Sequence, residues 1–141
     1  MGLPGSGKTT LSWGVHNEIH RPGHPAVVMD ADLLRQGPMR DLGFSAEDRV
    51  ENAWRLASFA DALETRGLTV IVAAVTPSLM AQVAARAVGS LLVYLTGRHR
   101  DLWPGHDFEA PSKPDLVIDT LTTTLTESIQ LVVAAYNGGR S

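Results

Sequence analysis

Gly2-Leu3-Pro4-Gly5-Ser6-Gly7-Lys8-Thr9 reads G-x-x-x-x-G-K-[ST] without a mismatch. In such a phosphate loop the backbone N–H groups cradle phosphate oxygens, the lysine reaches the β- and γ-phosphates and the hydroxyl ligates Mg²⁺. The glycines answer a steric need, because a loop that wraps an anion this tightly has no room for Cβ atoms or ordinary φ values. Thr9 then opens a helix whose positive end faces the phosphates. The pattern predicts a bound nucleoside triphosphate, with Lys8 as the reaching cation and Thr9 as the Mg²⁺ ligand. A phosphate loop follows a buried strand, yet only Met1 precedes Gly2. The first strand is therefore expected to be missing or truncated.

Working outward, Leu11, Val15 and Ile19 recur four apart, which predicts a helix over 9–20 that ends at Arg21-Pro22-Gly23. His16, His20 and His24 share that spacing, but His24 lies beyond the helix stop, so a metal site is not expected there. Pro25-Ala26-Val27-Val28-Met29-Asp30 is a short apolar run ending in an acid, followed by Ala31 and Asp32. It predicts a buried parallel strand that delivers carboxylates to the ligand edge of an open sheet. A short helix is expected around Leu33-Leu34-Arg35, and a loop over 36–43. Ser45-Ala46-Glu47-Asp48 reads as a capping box that starts a long helix near Ala46, and Gly67 stops it. Residues 68–75 are apolar almost throughout and predict a strand buried on both faces, with Thr76-Pro77 at its ligand end. An Ala-rich helix over 78–88, strands at 91–95 and 116–118, and an amphipathic helix over 122–136 complete the pattern. Strands alternating with helices predict a parallel α/β sandwich in one domain spanning 1–141.

Composition narrows the class. The chain has 141 residues, 44% hydrophobic and 19% charged, with a net charge of −3. That balance offers no general attraction to nucleic acid or an anionic membrane. There is no cysteine, so disulfides and thiolate metal sites are excluded. No apolar run approaches the roughly 18 residues of a membrane span, and the cytoplasm is the expected location.

Several stretches resemble adenylyl-sulfate kinases, a family of small P-loop kinases. The match begins with Gly2 to Thr10 and continues through Met29-Asp30-Ala31-Asp32-Leu33-Leu34-Arg35, where the family reads L-D-G-D-N-V-R. It is most specific at Asp41-Leu42-Gly43-Phe44-Ser45-Ala46-Glu47-Asp48-Arg49-Val50-Glu51-Asn52. Gly67 to Pro77 is similar to the family's G-x-x-V-I-x-A-x-I-S-P strand, Lys113 to Thr120 to its N-P-x-L-x-L-D-T segment, and Pro104 to Pro111 to a shortened F-T-G-I-D-x-x-Y-E-x-P.

The resemblance implies a three-layer P-loop kinase fold whose mostly parallel sheet is flanked by helices. It implies phosphoryl transfer from ATP, with Mg²⁺, to the 3′-hydroxyl of adenosine 5′-phosphosulfate, a step of sulfate assimilation. The ATP segment becomes Gly2, Leu3, Pro4, Gly5, Ser6, Gly7, Lys8, Thr9 and Thr10. Lys8, Asp30 and Thr76 become the catalytic candidates, with Asp30 near the acceptor hydroxyl as base or organiser. Asp32, Arg35, Phe44, Arg49, Asn52, Val75 and Thr76 would hold the small anionic nucleotide, and a homodimer is the implied assembly. The chemistry agrees, since arginine forks match a sulfo-phosphate and an aromatic ring stacks on a base.

There are departures. Leu33 replaces the family's Asn, Thr76 replaces its Ser, and Ser78-Leu79 stands where an arginine-bearing Y-R is common. The family's lid, R-D-x-K-G-L-Y with a following helix, is nearly absent between Leu95 and Trp103, where Arg98, Arg100 and Asp101 are its remnants. The alternatives are a related kinase for another nucleotide conjugate, a sugar or an antibiotic hydroxyl, and a nucleotide-binding module that no longer transfers phosphate. In the implied fold the strand before the loop is central. Without it the flanking strands would each present an unpaired edge.

Overall fold

The computed structural model describes residues 1–75, 90–97 and 108–139. Its elements run α1 (Lys8–Ile19), β1 (Ala26–Asp30), α2 (Ala31–Leu34), α3 (Ala46–Glu64), β2 (Thr69–Ala73), β3 (Val93–Thr96), β4 (Leu116–Asp119) and α4 (Leu125–Gly138). The alternation read from the sequence is thus present. The expected 78–88 helix lies outside the described residues.

The four strands form two parallel pairs rather than one continuous sheet. β1 pairs with β2 from Ala26–Thr69 to Asp30–Ala73, and β3 pairs with β4 from Val93–Leu116 to Thr96–Asp119. Met1 and Gly2 add a single parallel bridge to Leu95: Leu95 N–H donates to Met1 O at 2.9 Å, and the Met1 amine donates to Val93 O at 2.6 Å. Apart from that bridge, β2 and β3 have no strand partner on their inner edges among the described residues. The expectation that 68–75 is buried on both faces is corrected accordingly. Only Ala73 of β2 is fully buried, and Val72 is 38% exposed.

Two cores cover the faces of the strand layer. Leu11, Val15 and Ile19 of α1 join Ala26, Leu95, Ile118 and Val132, with Ile71 packed against them. Met29, Ala31, Met39, Leu56 and Ala74 form the second core, against which Val70 packs. Adjacent residues Val70 and Ile71 going to different cores is the period-two signature of a strand with helices on both faces. α1 and α4 meet at Gly14, where a Cβ would lie 2.4 Å from the Ile129 side chain.

Local chemistry explains the boundaries. Ser45 accepts from Asp48 N–H to cap α3, as read, but Asp48 does not return the bond to Ser45. Its Oδ2 accepts from Gly43 N–H at 2.9 Å and ties down the preceding loop. Gly67 ends the segment at φ 85°, a conformation glycine adopts without strain. α4 begins three residues later than expected, because Thr124 and Glu127 form a full capping box.

Candidate active site

The phosphate loop closes through its own backbone and packing. Gly7 is the α1 N-cap at φ 89°, and Lys8 opens the helix. Gly2 is held by close approach: a Cβ there would sit 2.7 Å from Ser6 Oγ and 2.8 Å from Leu95 O. The first glycine is thus the contact that fastens the loop to β3. Lys8 Nζ donates to Leu3 O at 2.8 Å, so the cation arches back over its own loop. Burial lowers the Lys8 pKa, with Asp32 and Asp30 pulling the other way. Ser6 Oγ is buried without a hydrogen-bond partner among the described residues.

β1 delivers Asp30 to the loop as its sequence implied. Thr9 Oγ1 donates to Asp30 Oδ2 at 2.9 Å, while Asp30 Oδ1 accepts from Asp32 N–H at 2.9 Å and caps α2. One carboxylate therefore joins the Mg²⁺-ligand candidate to the strand end. Asp32 and Thr9 are exposed.

Beside this pair, a pocket of about 220 Å³ is lined by Pro4, Ala31, Asp32, Arg35, Phe44, Arg49, Asn52 and Val75. It gathers every substrate candidate that lies within the described residues. Thr76 lies outside them, as do Arg98, Arg100 and Asp101. Phe44 is 65% exposed, so it is not core beneath the loop. The Arg35 guanidinium lies 4.5 Å from its ring centroid and that of Arg49 lies 5.5 Å away. Carbonyls position both arginines: Arg35 donates to Gly43 O at 2.7 Å, and Arg49 Nε donates to Phe44 O at 3.0 Å. Burial and the neighbouring Arg35 charge lower the Arg49 pKa. Two guanidiniums this close repel each other, and an anion between them would relieve the cost. Asn52 is buried on α3, and its Oδ1 has no partner among the described residues, leaving an acceptor for a ligand N–H or O–H.

Sequence reasoning placed Pro4 with the phosphates only, whereas it also walls this pocket. It also missed the brace behind that pocket. Arg55 pairs with Asp41 at 2.9 Å and with Glu51 at 2.8 Å, fixing the 41–44 loop to α3. The i,i+4 spacing of Glu51 and Arg55 was a legible signal for half of it. His16 and His20 are accounted for by structure. Their rings stack at 4.9 Å, and both lie within hydrogen-bond distance of Ala26 O.

The sequence model of the adenylylsulphate kinase family matches residues 1–98. An adenylyl-sulfate kinase of Synechococcus sp. is 35% identical, the match covering 94% of this chain and 89% of the relative. One from Paraburkholderia xenovorans is 34% identical, with 94% and 88% covered. Among solved structures, the Mycobacterium tuberculosis APS kinase CysC in complex with AMPPNP and APS superposes with a TM-score of 0.86 at 29% identity, covering 97% of this chain and 94% of that one. With a phosphate loop, a carboxylate at the end of β1 and a paired-arginine pocket in one arrangement, the chain belongs to the adenylyl-sulfate kinase family of ATP-dependent P-loop kinases.

Proposed function

We propose that the protein transfers the γ-phosphoryl group of ATP to the 3′-hydroxyl of adenosine 5′-phosphosulfate. The observation that carries this reading is the pocket in which Arg35, Phe44, Arg49 and Asn52 converge next to Asp30 and the phosphate loop. Its parts suit the acceptor's parts: guanidiniums for the sulfo-phosphate, an aromatic face for the base, and a buried amide oxygen for a polar edge. In the transfer, the acceptor oxygen bonds to the γ-phosphorus, the bond to the bridging oxygen breaks, ADP leaves, and the hydroxyl proton passes to a nearby base. The work of the protein is positioning and charge neutralisation.

In this reading Lys8 and the loop amides hold the β- and γ-oxygens. Thr9 and Asp30 place hard oxygen donors in contact with each other, a donor set that fits Mg²⁺, which Thr9 would hold with Asp30 beside it. The ion, when bound, neutralises phosphate charge. Asp30 orients or deprotonates the acceptor hydroxyl, and Val75 lines the acceptor's pocket. The reading extends to a homodimer in the cytoplasm. Among the described residues no helix is long and apolar enough to cross a membrane.

A related kinase with another acceptor is the second reading, favoured by Leu33. It is 66% exposed on α2 beside the site and offers no amide to a ligand. ADP release at saturating ATP, measured across a panel of acceptors, separates the two. Stimulation by adenosine 5′-phosphosulfate is expected; a response only to a sugar, an antibiotic or another nucleotide would replace the first reading with the second.

A further inference from the structure

Phe44 shares its pocket with Pro4 of the phosphate loop, yet it is 65% exposed and belongs to neither core. Side-chain packing does not hold such a ring, so the backbone that carries it must. Leu42 before it packs against the second core, and Ser45 after it caps α3. Between these fixed points the Gly43 and Phe44 peptide groups are gripped in turn. Gly43 N–H donates to Asp48 Oδ2 at 2.9 Å, Gly43 O accepts from Arg35 at 2.7 Å, and Phe44 O accepts from Arg49 Nε at 3.0 Å. Two of the three grips come from the guanidiniums that lie against the ring and line the pocket. The third comes from Asp48, which is not among the pocket's lining residues.

Asp48 stands in the first turn of α3, where an acidic side chain can close a capping box on the N-cap residue. Here it reaches two residues further back, past Ser45 to Gly43. A carboxylate that accepts a backbone N–H makes a charge-assisted bond, stronger than a neutral one. The fit leaves no spare room, since a Cβ on Gly43 would lie 2.8 Å from Asp48 Oδ2. Gly43 has no positive φ, so the carboxylate and not the backbone angle calls for glycine there. The Arg55 brace acts farther off. It joins side chain to side chain at Asp41, three residues before Phe44, and its partners are 34% and 56% exposed, where ion pairs contribute little.

We propose that Asp48 is a positioning residue for the phosphate acceptor. Through the Gly43 N–H it fixes the carbonyl that seats Arg35 and the Phe44 ring between the two guanidiniums. The acceptor then meets a formed platform and does not have to order the 41–44 loop as it binds. This role rests on the reading of the pocket as the acceptor site.

The test compares Asp48→Ala, Asp48→Asn, Gly43→Ala and Ser45→Ala in the full chain, by initial rates with adenosine 5′-phosphosulfate and ATP and by exchange of the Gly43 amide. Asp48→Ala should raise the acceptor KM by about 10-fold, the size of one charge-assisted bond, and leave the ATP KM within about twofold. Its Gly43 amide should exchange faster. Asp48→Asn keeps an oxygen that accepts the N–H and should recover most of the affinity. Gly43→Ala crowds the carboxylate off the N–H and should reproduce the kinetics of Asp48→Ala. Ser45→Ala removes the α3 cap alone, so it should lower the melting temperature and leave the acceptor KM within about twofold. An unchanged acceptor KM in Asp48→Ala, an equal rise in both constants, or no recovery in Asp48→Asn would overturn the proposal. Unaltered Gly43 exchange in Asp48→Ala would overturn it whatever the acceptor. If the unmodified chain turns over only another acceptor, the functional reading fails, and the same comparison run with that acceptor decides the positioning role.

Discussion

The two strand pairs divide the labour unequally. The β1–β2 half, with α2, α3 and the loop between them, carries Asp30 and, of the pocket's lining residues, all but Pro4 of the phosphate loop. The β3–β4 half carries α4 and the anchor that Gly2 makes on Leu95, and contributes none of the pocket's side chains. One half gathers the pocket and the other steadies the loop. Lys8 sits between them, beside Leu3 of the loop and in the field of Asp30 and Asp32. Chemistry and anchorage are therefore separable by mutation.

The largest effect is expected where both halves meet. Lys8→Ala removes the cation that we propose holds the β- and γ-phosphate oxygens, and turnover should fall by about 10³-fold or more in a coupled ADP assay. Near-normal turnover in that variant would break the assignment of the loop. A smaller effect belongs to the anchoring half. Thr124→Ala breaks the capping box of α4 and should cost about 1 kcal/mol of stability. Acceptor KM should not move; a shift there would show that the halves are coupled.

Much of the site was legible because its residues are local in sequence. The loop is a contiguous motif, Asp30 ends an apolar run, and Arg49 and Asn52 lie three apart on one helix, so spacing alone places them together. Phe44 was harder to place, since an aromatic residue beside a glycine can be core or platform. Only its packing under two guanidiniums decides. The partial burial of β2 was not read, because an apolar run reports the side chains and not which neighbours cover them. The bracing by Arg55 of Asp41 spans fourteen positions and has no sequence period. The Met1 amine's seat on Val93 joins residues 92 apart and leaves no local trace.

The central claim is that the β1–β2 half holds an anionic acceptor apart from the triphosphate. It is tested most directly by initial rates of Arg35→Ala with adenosine 5′-phosphosulfate varied at saturating ATP, and then ATP varied at saturating acceptor. Loss of one charge-assisted contact should raise the acceptor KM by roughly 10- to 100-fold and leave the ATP KM within about twofold. An equal rise in both constants, or no change in either, would contradict the account.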